Sequence, residues 1–184
     1  MPEDDQILIK ETLNGNLDSY DELMHRYQNL VYRIVYPFGK NKDNAMDIAQ
    51  NTFLKIYQNL RSYESRSSFK TWLSRIAYHE GINWERKMKK SYLNESIKPD
   101  HHFSTNAPSS EDELLAREFR GTLLRSLFAL NTKYRLAVVL RYYQNMPIKE
   151  IAAVIQCSEA NVKNMLYRSL QRLKKILAEE KREQ

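Results

Sequence analysis

The sequence predicts an all-α protein: two small helical domains joined by a flexible linker, the C-terminal one a helix-turn-helix. Three observations carry this reading. Only 4 glycines and 5 prolines punctuate 184 residues, and long stretches rich in Lys, Glu, Leu and Tyr run without a breaker, which favours helices over strands and turns. Apolar residues recur at spacings of three and four, the repeat of one helical face. Residues 91–110 break that period: Asn94, Ser96, Pro99, Asp100, His101, His102, Ser104, Asn106, Pro108 and Ser109 offer too little apolar surface to repay ordering, so the segment reads as a linker. The expected organisation is therefore a first domain over 1–90, a linker over 91–110 and a second domain over 111–184.

The first domain divides into four helices. A short amphipathic helix over 5–13 stops at Asn14-Gly15-Asn16, where Gly15 can take positive φ without strain. The second begins near Asp18 or Ser19, with Ser19 and Glu22 at capping-box spacing. Its apolar stripe is Leu23, Tyr27, Leu30, Val31, Ile34, Val35 and Phe38, and Pro37 and Gly39 end it. A third helix over 43–60 buries Ile48, Ala49, Phe53, Ile56, Tyr57 and Leu60. A Ser- and Arg-rich loop over 61–68 leads to a fourth helix, from Phe69 to about Lys90, whose apolar face includes Phe69, Trp72, Leu73, Ile76, Ala77 and Trp84.

Past the linker, helices are expected over 111–129, 132–144, 148–155 and 159–180. The last two have helix-turn-helix layout. Pro147 pre-sets φ for a first turn. Ile148, Ile151, Ala152 and Ile155 line a short helix, with small Ala152 where two helices cross closely. Gln156-Cys157-Ser158 is the turn, and Ser158 caps the second helix. Val162, Leu166, Leu170 and Leu173 are expected to bury that helix, leaving Glu159, Asn161, Lys163, Asn164, Tyr167 and Arg168 outside. Those residue types can meet base edges and phosphates in a major groove, although the same pattern also suits a plain helical hairpin with a solvated face.

Bulk properties narrow the function classes. The net charge is +6 and the sequence pI about 9.3, which suits a polyanionic partner without requiring one. No stretch approaches the roughly 20 apolar residues of a spanning helix. The acidic start, Met1-Pro2-Glu3-Asp4-Asp5, lacks the apolar core of a secretory signal, so a cytoplasmic protein is expected. A lone Cys157 leaves no internal disulfide to form and is expected to pack as a small hydrophobe. No catalysis, metal or cofactor is expected. There is no carboxylate cluster with metal spacing, no nucleophile with a base and no phosphate-cradling glycine loop, and His101-His102 has no second ligand pair nearby.

The stretch Leu130-Asn131-Thr132-Lys133-Tyr134-Arg135 through Leu140-Arg141-Tyr142-Tyr143, with Ile148-Lys149-Glu150-Ile151-Ala152 and Val162-Lys163, resembles the promoter-reading C-terminal domain of extracytoplasmic-function (ECF) sigma factors. These belong to the sigma-70-like sigma subunits of bacterial RNA polymerase and carry regions 2 and 4 only. The first domain agrees independently. Asp47-Ile48-Ala49-Gln50-Asn51-Thr52-Phe53 is similar to the family's polymerase-docking helix, and Phe69-Lys70-Thr71-Trp72-Leu73-Ser74-Arg75-Ile76-Ala77 to its promoter-melting helix. The order and spacing match over about residues 5–178.

The resemblance implies a division of labour. The first domain, region 2-like, binds the β′ clamp of the polymerase core and the melted minus-10 element. The second, region 4-like, binds the minus-35 duplex and touches the β flap, and the linker threads toward the RNA exit path. It also implies an anti-sigma factor as inhibitory partner, and no small-molecule substrate. Asp47, Gln50, Asn51 and Leu54, at i, i+3, i+4 and i+7, put a carboxylate, two amides and an apolar group on one helical face, a mixture suited to docking. Phe69 and Trp72 are more readily read as core than as base-stacking platforms. The minus-10 contacts then fall to Arg61, Ser62, Ser67 and Ser68 in the loop and to the outward face of the fourth helix: Lys70, Arg75, Tyr78, His79, Asn83, Arg86 and Lys87.

This chain departs from the family pattern at His79, Asn83, Asn131, Asn145, Met165 and Leu170. Those departures keep the fold pattern and bear on which bases are preferred. The competing reading is a helix-turn-helix regulator that acts without replacing the sigma subunit, its first domain a sensor or dimerisation unit. The linker allows the two domains to sit closed together or open.

Overall fold

The computed structural model describes residues 3–39, 41–94, 121, 123 and 125–180, and the regular structure among them is helical. The first domain comprises α1 (Glu3–Leu13), α2 (Leu17–Gly39), α3 (Lys42–Asn59), a 3-10 turn (Leu60–Ser62) and α4 (Phe69–Asn94). The second contains α5 (Thr132–Val138), a π-helical turn (Val139–Tyr143), α6 (Ile148–Ile155) and α7 (Glu159–Glu180). Residues 125–128 are also helical. The expected linker lies outside the described residues except at 91–94, which extend α4 beyond Lys90. The helix expected over 111–129 is described only from 121.

Local chemistry accounts for most boundaries. Gly15 sits at φ 97° and ends α1 as expected. The cap of α2 is a correction: Asn16, rather than Ser19, accepts from the amides of Asp18 (3.0 Å) and Ser19 (3.4 Å). Ser19 is instead buried inside the helix, where its hydroxyl donates to Glu11 at 2.5 Å. All seven residues of the α2 stripe are buried. Pro37 lies within the last turn rather than stopping the helix, because that turn continues to Gly39. On α3, Ile48, Ala49 and Ile56 are buried as expected, as is Leu60 at the start of the 3-10 turn, while Tyr57 is exposed and meets the edge of Tyr20.

α4 crosses α2 at close range. A Cβ on Gly81 would lie 2.3 Å from the Phe38 ring, so only glycine lets the helices approach this far. Phe69 is fully buried within an aromatic cluster of Tyr27, Tyr63 and Trp72, with centroids 5.4–5.6 Å away, and thereby fixes the start of α4. Burying a side chain of this size contributes about 1.5–3 kcal/mol. Tyr78, expected to face outward, is buried against Phe38.

In the second domain the helix expected over 132–144 is broken into α5 and the π turn, where the Gln144 amide reaches back to Val139 O at 3.1 Å. Asn145 follows at φ 50°, a left-handed conformation that Asn tolerates better than most side chains. Pro147 occupies the N-cap of α6 rather than its first turn. Gln156 ends α6 at φ 58°, and Ser158 accepts from the Asn161 amide at 3.2 Å, the expected cap of α7. Val162, Leu166 and Leu173 are buried, but Leu170 is exposed. The buried face runs 162, 166, 169, 173, so Ser169 takes the inner position and bonds Met165 O at 2.7 Å, and Leu170 falls beyond the face. The buried apolar residues of both domains join into one continuous core.

Candidate nucleic-acid interface

The helix-turn-helix presents its second helix outward. Glu159, Asn161, Lys163, Asn164, Tyr167 and Arg168 are all exposed on α7, as expected. Among the described residues their side chains have no hydrogen-bonding partner, so their donors and acceptors are available to a ligand. Arg168, Arg172 and Lys175 continue the face at i, i+4 and i+7 and line a shallow groove with Tyr167, Gln171, Ile176 and Glu179. Lys175 pairs with Glu179 at 3.8 Å, an exposed contact of small energetic weight.

A second expected surface lies on α3. Asp47, Gln50, Asn51 and Leu54 are all exposed and share one face, with Leu54 58% exposed. An apolar side chain that free within a polar rim has the make-up of a protein interface.

The third surface, around the 61–68 loop and α4, has a different character. Arg61 and Ser62 are exposed in the 3-10 turn, where the Ser62 hydroxyl donates to Asn59 O. Ser67 and Ser68 are half-buried; Ser68 caps α4 by accepting from the Thr71 amide at 3.1 Å. Asn83, Arg86 and Lys87 are exposed farther along α4. Between these two groups, Lys70, Arg75 and His79 face the second domain. Lys70 Nζ donates to Gln144 O at 3.0 Å, Arg75 Nε donates to Ala153 O at 3.2 Å, and His79 Nε2 lies 3.0 Å from Gln156 Nε2. The Thr71 hydroxyl donates to Glu150 Oε2 at 2.7 Å. Its only proton being used there, Ser68 is the donor in the 2.8 Å Ser68–Thr71 contact. Of the eleven expected strand-contacting residues, Lys70, Arg75 and His79 thus point into α6 and its flanking turns, and Tyr78 is buried.

The sequence reading did not single out Thr71, Glu150, Gln144 or Gln156. The one local signal was Gln156, a non-glycine residue ending a short helix before a capping serine. It also missed Arg135, which is buried and, among the described residues, forms no ion pair. Its guanidinium donates to Pro37 O (3.2 Å), Phe128 O (3.0 Å) and Leu130 O (2.9 Å) and stacks on the Phe128 ring. Burial pulls its pKa down to about 10, so it remains a cation at neutral pH, held by carbonyl dipoles at the ends of helices from both domains. Arg33 over the Tyr143 ring, at 3.9 Å, adds a second cross-domain contact.

Cys157 is half-buried against the core, and burial pushes its thiol up, away from the thiolate a redox role requires. Among the described residues there is no cluster of metal-ligating side chains, and no helix is long and apolar enough to cross a membrane.

Comparisons with known proteins match both halves of the chain. Residues 23–91 fit the model of sigma-70 region 2, and residues 120–173 that of sigma-70 region 4. The chain is 33% identical over 156 residues to the ECF RNA polymerase sigma factor SigM of Bacillus subtilis, covering 85% of this chain and 93% of that protein. It is 28% identical over 172 residues to the ECF RNA polymerase sigma-E factor of Escherichia coli, covering 90% of each. Two solved structures share the fold. One is the sigma factor RpoE in complex with the anti-sigma factor NepR from Bartonella quintana (TM-score 0.70, 19% identity, 86% of this chain and 96% of that one). The other is CnrH in complex with the cytosolic domain of CnrY (TM-score 0.67, 22% identity, 96% and 98%).

Proposed function

This chain belongs to the family of ECF RNA polymerase sigma factors, and from that membership we propose how its surfaces divide the work of initiation. As a sigma factor it binds RNA polymerase core, directs it to specific promoters and helps open the DNA. The domain over 1–90 docks on the core through Asp47, Gln50, Asn51 and Leu54 and engages the melted minus-10 strand through the 61–68 loop and α4. The domain over 111–184 reads the minus-35 duplex with the outer face of α7 and touches the polymerase flap. The chain itself catalyses nothing: it supplies recognition, and the polymerase supplies the chemistry. It works in the cytoplasm, where its polymerase is. An anti-sigma factor is its inhibitory partner, a reading supported by the complex with NepR in which one of its structural neighbours was solved.

The observation that carries the assignment of surfaces is the exposed α7 face, where six polar or charged side chains of base- and phosphate-contacting type stand unengaged among the described residues. Phosphate contacts fix register, and amide and guanidinium groups read base edges in the major groove. The experiment is co-elution of the chain with core polymerase. The chain is expected to elute with core, and the double change Asp47→Ala, Gln50→Ala to weaken that association about tenfold without altering helical content, since both residues are exposed. Retention of full core binding by the double variant would remove α3 from the docking surface.

A further inference from the structure

Glu80 of α4 stands between the two helices of the first domain that the proposed function gives different tasks. Its Oε1 accepts from Lys55 Nζ of α3 at 2.6 Å and from Asn83 Nδ2, one turn farther along α4, at 3.3 Å. The Glu80 side chain is 12% exposed and that of Lys55 47% exposed, so the carboxylate is held between the packed helices with its cation on the outside. We propose that Glu80 is a positioning residue for base selection: steadied by Lys55, it fixes which end of the Asn83 amide faces the melted strand. This rests on the assignment of Asn83 to that strand under the proposed function. A carboxylate only accepts hydrogen bonds, whereas a primary amide can turn either end toward a neighbour. The Asn83 NH2 is therefore committed to Glu80, and its Oδ1 is left as the outward acceptor. Asn83 is exposed, four residues after His79 and three before Arg86, and so shares a helical face with two other expected strand contacts. An acceptor at that place selects a base with an exocyclic amine (adenine, cytosine or guanine) over thymine, whose edge sets carbonyls on both sides of its one ring N–H. Lys55 lies one turn beyond Asn51 on α3, so the same ion pair ties the docking helix to the orientation of the amide.

Run-off transcription with core polymerase, on a promoter pool randomised across the minus-10 element, tests this. The unmodified chain is expected to disfavour thymine about fivefold at one minus-10 position, the difference one hydrogen bond makes. Glu80→Leu keeps a side chain of similar volume and removes the acceptor, so the amide is free to turn and the bias is expected to vanish at that position alone. Glu80→Gln is expected to keep the bias, because the Lys55 ammonium holds the Gln carbonyl oxygen where the carboxylate oxygen was. A merely structural role would lower initiation on all sequences alike and leave the base profile as it was. An unaltered profile in Glu80→Leu, or loss of the bias in Glu80→Gln, overturns the proposal. NMR of the Asn83 side-chain amide in the free chain gives a reading that does not depend on the sigma assignment. Exchange of its NH2 protons with water is expected to be about threefold faster in Glu80→Leu than in the unmodified chain or Glu80→Gln, and equal exchange in all three overturns the proposal. An unmodified chain that shows this amide protection yet initiates nowhere counts instead against the sigma assignment.

Discussion

The outer face of α7 and the α4 face are both assigned to DNA, yet they are in opposite states. On α7, Lys163 and Arg168 project into solvent, and among the described residues nothing engages them. On α4, Lys70 and Arg75 donate to carbonyls of the second domain. The two differ in how they are buried rather than in residue type. A helix-turn-helix buries one side of its second helix and necessarily frees the other. The α4 helix is packed on α2 and α3 along one side and on α6 along another, so the face proposed to read the strand is also a packing face. In this structure the α7 face is open and the α4 face is engaged by the second domain.

The largest expected effect separates the two surfaces through stability. Gly81→Ala drives a methyl into Phe38 at the α2–α4 crossing. Overpacking of this kind costs about 1–3 kcal/mol, and each kcal/mol lowers Tm by about 2–4 °C in a chain this size. Thermal unfolding followed by circular dichroism should show that drop, with minus-35 duplex binding retained at low temperature. Equal loss of both would mean that the two surfaces are not independent.

Lys163→Ala with Arg168→Ala sharpens the contrast at the level of charge. If each neutralises one phosphate, the log–log salt slope of duplex binding falls by about two units, while Arg75→Ala leaves it unchanged. A lower slope in Arg75→Ala would show that the α4 face already meets duplex in the closed chain.

A smaller effect comes from pH. Tyr20, Tyr27, Tyr32, Tyr36, Tyr63 and Tyr78, all in the first domain, have pKa values raised above the usual 10, chiefly by burial. Their folded state favours the neutral phenol, so this stability is whole below pH 10 and is lost as pH rises above it. Arg135 acts oppositely. Its pKa is lowered to about 10 by burial, so its penalty fades as pH rises through 10. Six groups outweigh one, and urea midpoints should fall between pH 8 and pH 11. A rising midpoint would make Arg135 the dominant group.

The smallest change expected is for Gln156→Gly. It relieves the left-handed backbone at φ 58° and removes the His79 contact, which should alter stability by less than about 1 kcal/mol.

Much of this was legible in the sequence because periodicity reports burial on a helix. The α2 stripe, the Ser158 cap and the six outward residues of α7 follow from spacing alone. What failed were places where two periods or two elements compete. Leu170 fits a three-and-four pattern but lies one step past the buried face that Ser169 occupies. Ser19 fits a capping box, but Asn16 reaches the same amides first. Tyr78 reads as outward until α2 packs across it. The contacts between α4 and α6 could not be read at all, since Thr71–Glu150 and Arg75–Ala153 join residues nearly 80 positions apart and depend on how the domains meet.

Run-off transcription by bacterial core RNA polymerase, on a pool of promoter fragments from the source genome with and without this chain, tests the central claim most directly. The account predicts that the added chain switches on a discrete set of start sites that share a minus-10 and a minus-35 element. Transcription that never becomes dependent on the chain, while the chain still binds duplex DNA, would contradict it and leave a helix-turn-helix regulator that does not replace the sigma subunit.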